Sequence, residues 1–230
     1  AYIILNAYSS FPKGTIHIIG VDSELNQENK HIAVKLDGHY FICANNGIMS
    51  MICAEIAAEK IVEINIHDKI ISSFPVLDVF VKVACHIARG GTLEVIGKVI
   101  DTIKPIKNMI PFINDERTQI IGHVIYIDNY GNVITNIKRA FFEKVQLGRP
   151  FEISARNKTF NKIYNKYSDV VDFSKAPETR NIEGHRMVVF NSSSYIEIAV
   201  YKSNPNTTGS ASSLLGLELM DTVTVNFLKE

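Results

Sequence analysis

The second half of the chain contains six short runs rich in β-branched and aromatic residues, and polar turns separate each run from the next. Runs of this length and spacing are typical of the strands of a small barrel or sandwich. The sequence therefore predicts an all-β domain at this end of the chain. The six predicted strands are Gly122–Ile127, Val133–Ile137, Pro150–Ser154, Arg186–Phe190, Ile196–Tyr201 and Thr222–Phe227.

The first half alternates strand-like and helix-like segments. Two β-type runs, His31–Leu36 and Tyr40–Ala44, flank the turn-forming pair Asp37-Gly38 and predict a hairpin. Met49–Lys60 contains several alanines and predicts a helix. Asp78–Arg89 has apolar side chains at helical spacing and ends before two glycines, so it predicts a second helix with its first residue as the N-cap. This alternation predicts an α/β domain built on a largely buried sheet.

The boundary between the α/β pattern and the all-β pattern falls in Ile100–Asn114, which holds two prolines and shows little periodicity. We therefore predict an α/β N-terminal domain over residues 1–110 and a small C-terminal β-barrel domain over residues 111–230. Ala1–Tyr8 has the pattern of the end of an apolar helix, but no N-cap precedes it. We expect the α/β domain of this chain to lack its first strand and helix.

Charge and cysteine content exclude several classes of protein. The 24 basic and 24 acidic side chains cancel, and no long like-charge run is present, so the chain lacks the electrostatic pattern of a nucleic-acid or anionic-membrane binder. No apolar run approaches the roughly 20 residues of a membrane span. The 3 cysteines lack metal-ligand spacing and predict reduced thiols in a cytoplasmic protein. His31, His39 and His67 have no partner at ligand spacing, so we predict no metal site.

The stretch Ile127–Asn136 carries the clearest chemical signal. An apolar run leads into a polar turn that contains a carboxylate at Asp128, an aromatic ring at Tyr130 and carboxamides that include Asn132. A carboxylate can hold an ammonium group, a ring can stack on a base, and a carboxamide can recognise polar edges. These groups suit a small, charged, partly aromatic ligand. A plain hairpin turn is the alternative interpretation, because Asn-Tyr-Gly-Asn is good turn chemistry by itself.

Several motifs, including this stretch, occur in one order along nearly the whole chain. They are Asn6-Ala7-Tyr8, Phe11 to His17, Val21-Asp22, Asn45 to Ile48, Phe74, Asp78-Val79-Phe80, Ala88-Arg89-Gly90, Ile127 to Asn136, Asn191 to Val200, Gly209-Ser210-Ala211 and Leu214-Leu215-Gly216. In these motifs the chain resembles the S-adenosylmethionine hydroxide adenosyltransferases, also called SAM hydrolases, which are relatives of the bacterial fluorinase and chlorinase. Each motif is weak alone, and the specificity lies in their order and spacing.

The resemblance implies an α/β domain followed by a β-barrel, and S-adenosylmethionine as the substrate, with no cofactor. It also implies a homotrimer in which the ligand lies between the N-terminal domain of one subunit and the barrel of its neighbour. The family reaction is a displacement at the ribose 5′ carbon, in which the sulfonium makes methionine a good leaving group. For the hydrolases the attacking group is water or hydroxide, which must be oriented and partly deprotonated.

The resemblance assigns the water-handling roles to positions that have changed in this chain. The family carboxylate is kept as Asp22, although the glycine-rich remainder of its loop is replaced. The position of the family arginine falls on Asn29, and the position of the family histidine falls on Pro75, which has no proton to exchange. Asp22 and Asn29 are therefore the candidate catalytic residues.

The substrate-binding roles are carried over in the same way. Asp128 corresponds to the group that takes the methionine ammonium, Tyr130 to a ring at the adenine, and Asn132 to a hydrogen-bonding group at the adenine or the amino-acid end. The remaining candidate contacts are Ser192 and Ser193 at the methionine carboxylate, Ser210 and Ala211 at the adenine, and Asn46 in the family's Asp-Asn-Gly motif.

Three functional hypotheses remain open. The chain is an S-adenosylmethionine hydrolase, or a paralogue that binds S-adenosylmethionine or adenosine without turnover, or a scaffold whose pocket has decayed. The changes at Asn29 and Pro75 motivate the second hypothesis. Asp22 also has a structural alternative as a strand-end turn residue, and Asn46 has one as part of an Asn-Gly turn.

Overall fold

The computed structural model describes residues 1–54, 56–66, 72–105, 110–180 and 184–228. The chain forms two compact units, Ala1–Asn108 and Met109–Glu230. Part of the predicted linker Ile100–Asn114, residues 106–109, lies outside the described residues.

The first unit is built on a five-stranded mixed sheet with the strand order β1-β3-β2-β4-β5. The β1–β3 pair is parallel, and the other pairs are antiparallel. Asp37 and Gly38 both have positive φ values, 49° and 70°, which is the geometry of a tight hairpin turn between β2 and β3. The strands are β1 (Ile16–Ile19), β2 (His31–Leu36), β3 (His39–Ala44), β4 (Lys60–Ile64) and β5 (Gly97–Val99).

Helical segments cover both faces of this sheet. The segments are α1 (Tyr2–Ala7), α2 (Ile48–Ile52) and a π-helical turn (Val76–Phe80) that continues into α3 (Val81–Ala88). On one face, Ala33 and Ile42 pack with apolar residues of the π-helical turn and α3, and on the other Ile32 and Val34 pack with Met49 of α2. Burial on both faces explains the nearly continuous apolar strands, and it confirms the predicted α/β class.

Two predictions for this unit were wrong in detail. The helix expected over Met49–Lys60 ends at Ile52, and the described residues that follow are non-helical until β4 begins at Lys60. Its alanines favour helix but give no apolar stripe to bury. Asp78 is not the N-cap, because the helix already begins at Pro75 and Asp78 accepts a hydrogen bond from the Ser72 hydroxyl at 2.5 Å.

The second unit is a nearly closed antiparallel barrel of eight strands. The strand order is β10-β9-β13-β7-β8-β12-β11, with β6 paired to β7. The predicted strands are confirmed with end shifts of a few residues, and so is the predicted barrel. The strands are β6 (Phe112–Ile113), β7 (Gln119–Ile127), β8 (Val133–Lys138), β9 (Phe151–Ala155), β10 (Lys158–Phe160), β11 (Arg186–Phe190), β12 (Tyr195–Val200) and β13 (Thr222–Phe227).

Two short helices and one covering segment complete this unit. Helix α4 (Arg139–Gln146) buries Phe142 and Val145 against the barrel core, and helix α5 (Ala211–Leu215) buries its first and last residues. The outer face of β11 and β12 is also covered, because residues Tyr164 and Val170 pack against it in a small second core. Neither of these helices nor the covering segment was predicted from the sequence.

Candidate functional site

Three candidate residues of the first unit meet at one edge of its sheet. Strands β1 and β3 run parallel, so Asp22, which follows β1, and Asn46, which follows β3, lie at the same edge. Asn29 precedes β2, whose first residue pairs with the last residue of β3, and this places Asn29 there as well. Loops beyond the carboxyl ends of parallel strands are common positions for ligand contacts.

Asp22 has a geometry that suits contact with a ligand. Its backbone is in the left-handed region, with φ of 46°, a conformation that Asp tolerates better than most residues. The residue is exposed, and its carboxylate has no hydrogen-bond partner in the part of the chain that the structure describes. An exposed carboxylate of this kind is available to a water molecule or a ligand hydroxyl.

Asn29, in contrast, forms its hydrogen bonds within its own loop. It is only 6% exposed, and its Nδ2 donates to the Asp22 carbonyl at 2.8 Å and to the Glu24 carbonyl at 3.0 Å. Its main-chain N–H donates to Asn26 Oδ1 at 2.9 Å. Its Oδ1 atom is buried and has no partner among the described residues. Both side-chain donors of Asn29 therefore hold the Asp22 loop and cannot donate to a reacting water.

Asn46 supports the same loop from the neighbouring strand. Its Nδ2 donates to the Val21 carbonyl at 2.9 Å, and its Oδ1 accepts from the Ile48 main chain at 3.2 Å. Pro75 is buried at the start of its helix, where a missing N–H leaves no gap in the helical hydrogen bonds. Asp22 is thus the candidate in this unit whose functional group is free to act.

In the second unit, the Asp128 turn between β7 and β8 is internally ordered. Asp128 Oδ1 accepts from the main-chain N–H groups of Tyr130 at 2.9 Å and Asn132 at 2.8 Å. Asp128 Oδ2 accepts from Asn132 Nδ2 at 3.0 Å. A carboxylate offers about four acceptor positions, so these three bonds leave room for one more donor. Tyr130 projects from the turn with 69% of its surface exposed, which leaves its ring available for stacking.

The Asp128 turn contacts the first residues of α5. The Ser212 N–H donates to the Gly131 carbonyl at 2.9 Å, and a Cβ atom placed on Gly131 would lie only 2.1 Å from Ser210 Oγ. Ser210 caps α5 and is buried with Ala211. The candidate residues brought together here are Asp128, Tyr130, Asn132, Ser210 and Ala211.

Ser192 and Ser193 lie elsewhere on the barrel. They belong to the turn between β11 and β12, and Ser194 of this turn accepts from the Arg139 N–H just after β8 ends. The Asp128 turn instead precedes the start of β8. The start of β8 pairs with Ile198 and its end pairs with Tyr195, three residues apart on β12, which is roughly 10 Å along the strand. The two sets of candidates therefore lie at opposite ends of the β8–β12 pair.

Glu197 is a buried polar residue for which the sequence predicted no role. It lies on β12 between these two sets and is only 4% exposed. Its Oε1 accepts from the Tyr167 hydroxyl at 2.5 Å. Burial raises the pKa of Glu197, and the negative charge of Asp128 adds to that rise, while hydrogen bonds from Tyr167 and Asn191 oppose it. The Ile-Glu-Ile alternation predicts a solvent-facing glutamate, so no local signal indicated this burial.

The residues that the structure describes contain no group of three or more His, Cys, Asp or Glu side chains that could hold a metal ion. His67 lies outside the described residues. No helix in the described part of the chain is long and apolar enough to cross a membrane.

Comparisons with known proteins agree with the division of the chain into two units. Residues 1–97 match the family model of the SAM hydroxide adenosyltransferase N-terminal domain, and residues 122–224 match that of the C-terminal domain. A Methanocaldococcus jannaschii protein named (R)-S-adenosyl-L-methionine hydrolase is 23% identical, with 98% of this chain and 76% of that protein covered.

Two solved structures share the fold. A conserved protein from Thermotoga maritima superposes with a TM-score of 0.78 and 26% identity, covering 98% of this chain and 82% of that one. A conserved protein from Thermus thermophilus superposes with a TM-score of 0.69 and 18% identity, covering 99% of this chain and 80% of that one. Both similarities extend across the two units.

Proposed function

Because the chain belongs to the SAM hydroxide adenosyltransferase family, we propose that it binds S-adenosylmethionine and hydrolyses it to adenosine and methionine. Water or hydroxide would attack the ribose 5′ carbon, and methionine would leave with the electrons of the carbon–sulfur bond. The name of the Methanocaldococcus jannaschii relative supports this reaction class. The sulfonium is already a good leaving group, so the protein must mainly hold the reacting atoms in line.

The observation that carries the proposal is the ordered Asp128 turn. Three internal hydrogen bonds fix the Asp128 carboxylate, and a fourth acceptor position remains for a ligand donor. A turn that is already rigid loses little conformational freedom when a ligand binds. The exposed ring of Tyr130 next to this carboxylate supplies a stacking surface for adenine.

The strand register limits how one barrel unit can hold the ligand. The ammonium and carboxylate of methionine are attached to one carbon atom, whereas Asp128 and the Ser192–Ser193 turn are separated by about 10 Å of strand or more. Both groups can hold the same amino-acid end within one unit only by reaching it from opposite sides. We propose that Ser192 and Ser193 contact the methionine carboxylate, that Asp128 contacts the methionine ammonium, and that Tyr130 with Ser210 and Ala211 contacts the adenine.

Asp22 is the group we propose to orient the attacking water. Its carboxylate is exposed and can accept a proton or a hydrogen bond from that water. Asn29 would act through the shape of the Asp22 loop, because its donors are bonded to the carbonyls of Asp22 and Glu24. With one exposed carboxylate and no basic side chain at position 29 or 75, we expect slow turnover.

A direct assay tests the proposal. The protein is incubated with S-adenosylmethionine in ¹⁸O-labelled water, and adenosine is measured by chromatography and mass spectrometry. We expect labelled adenosine, with turnover at least ~10-fold slower in Asp22→Asn, since a positioned general base contributes that much or more. Asp172→Asn, an exposed aspartate of the second unit, is the matched control. Absence of adenosine at high protein concentration would contradict hydrolysis.

The bonding of Asn29 favours a second candidate function, binding without turnover. Calorimetry that detects S-adenosylmethionine binding by a protein that forms no adenosine would select it. Absence of both binding and turnover would leave only the hypothesis of a scaffold whose pocket has decayed. The family resemblance also leads us to propose a cytoplasmic homotrimer, and light scattering after size-exclusion chromatography measures the oligomeric state.

A further inference from the structure

Glu197 occupies an unusual position for a carboxylate. Along β12, Ile196 and Ile198 point into the barrel core, and Glu197 lies on the opposite, outer face. That face is covered by the segment that contains Tyr164 and Val170, which leaves Glu197 only 4% exposed. The carboxylate is therefore held inside the second unit, between the strand and the segment that covers it.

Hydrogen bonds connect Glu197 to the Ser192–Ser193 turn. Glu197 accepts from the Tyr167 hydroxyl at 2.5 Å and from the side chain of Asn191. Asn191 Oδ1 in turn accepts from the main-chain N–H of Ser193 at 3.0 Å and of Tyr195 at 3.1 Å. One carboxamide thus links the buried acid to the main chain of the turn.

The polarity of this link is fixed by its two ends. A carboxylate can only accept, and main-chain N–H groups can only donate, so the NH₂ of Asn191 must face Glu197 and its oxygen must face the turn. A neutral group that could donate at position 197 would leave the polarity to be set from the turn alone. Glu197 therefore reinforces one orientation of Asn191, and through it one conformation of the turn.

Stability alone does not account for a carboxylate at this position. No basic side chain forms an ion pair with Glu197 among the residues that the structure describes. A buried carboxylate without a cation is unfavourable, and Asp128 is a further negative charge in its surroundings. A neutral side chain of the same shape would be easier to bury, which indicates that the acceptor character of Glu197 has a use beyond folding.

We propose that Glu197 is a positioning residue that acts through Asn191 to hold the Ser192–Ser193 turn in the conformation that contacts the methionine end of the substrate. The inference rests on the proposed function, because it takes S-adenosylmethionine as the ligand. Its specific content is that Glu197 affects one end of the ligand and not the other. Adenosine, which lacks the methionine end, is therefore the natural reference ligand.

The experiment combines hydrogen exchange with two ligands. Exchange at the Ser193 and Tyr195 amides reports on the turn, and calorimetry gives the dissociation constants of S-adenosylmethionine and adenosine. We compare wild type, Glu197→Gln and the control Glu152→Gln, a half-buried glutamate on β9 of the same unit. In Glu197→Gln we expect the two amides to exchange ~5-fold faster, consistent with loss of one hydrogen bond. We expect S-adenosylmethionine to bind ~10-fold more weakly and adenosine to bind within twofold of wild type.

A polarity swap tests the orientation argument. In Asn191→Asp combined with Glu197→Gln, the amide donor moves to position 197 and the carboxylate to position 191, so the same chain of hydrogen bonds can form in a protein of equal charge. We expect exchange at Ser193 and Tyr195 to return towards the wild-type rate. A structural role without this link would give no such rescue.

The possible outcomes separate the two proposals. Unchanged exchange at the turn in Glu197→Gln, or equal weakening of both ligands, would overturn the positioning role while leaving the proposed function intact. A wild-type protein that binds neither ligand would refute the proposed function, and the role of Glu197 in substrate binding would fall with it.

Discussion

Replacing Gly131 with alanine tests whether the Asp128 turn is docked on α5. Gly131 has φ of +72°, and an added Cβ would lie 2.1 Å from Ser210 Oγ and 2.3 Å from Ser210 Cβ. The substitution therefore introduces backbone strain and a steric clash together. Gly148 provides the matched control, since it has φ of +82° in the same unit but no atom within 4 Å of an added Cβ.

The two substitutions differ by the clash alone. An L-residue in the left-handed region costs roughly 1–2 kcal/mol, and this part is common to both positions. Forcing extra atoms into a packed site costs about 1–3 kcal/mol more, which applies only at Gly131. We expect the free energy of unfolding to fall by about 1–2 kcal/mol in Gly148→Ala and by about 2–5 kcal/mol in Gly131→Ala.

Urea unfolding followed by circular dichroism measures the difference. With a slope of ~2 kcal/mol per molar urea, an excess of ~2 kcal/mol lowers the midpoint by ~1 M relative to Gly148→Ala. Ser210→Gly removes both clashing atoms, and glycine is tolerated at an N-cap, so the double variant Gly131→Ala with Ser210→Gly should recover most of the excess. Equal midpoints for the two alanine variants, or no recovery in the double variant, would refute the docking of the turn on α5.

Three further outcomes are expected. Burial lowers the pKa of His17 from its usual 6.5, so the neutral ring contributes its full stability above that pH and less as the pH falls. His17→Gln removes this titration, so its urea midpoint in acid should be higher than that of the wild type. A Cβ on Gly97 would lie 1.9 Å from the Glu63 carbonyl, so Gly97→Ala should lower the free energy of unfolding by ~2 kcal/mol or more in urea titrations. Burial raises the pKa of Cys43 to about 12, so a thiol reagent should label the exposed Cys85 in the native protein and Cys43 only after unfolding.

The strands were predictable because their signals are local. Alternating apolar residues and turn pairs such as Asp37-Gly38 define a strand without knowledge of its neighbours. The helix predicted over Met49–Lys60 failed because alanine content measures propensity, whereas helix length in a folded protein depends on a face that can be buried. The cover over β11 and β12 depends on distant residues, so neither it nor the burial of Glu197 was visible in sequence.

The same difference between local and distant signals applies to the candidate site. The turn chemistry of Asp128 and Asn132 was predicted from adjacent residues, and the structure supplies its hydrogen bonds. The separation of this turn from Ser192 and Ser193 follows from strand register, which no motif encodes. The internal bonding of Asn29 depends on how its loop folds back on itself, and residue identity alone could not reveal it.

The hydrogen bonds that Asn29 makes across its loop limit how the loop can be re-engineered. An arginine at this position would lose both carbonyl contacts, and its longer, charged side chain would have to leave a space that is only 6% exposed. An arginine at position 29 would thus demand accompanying changes in residues 22–28. Placing a cation beside Asp22 therefore requires redesign of the whole loop and not a single substitution.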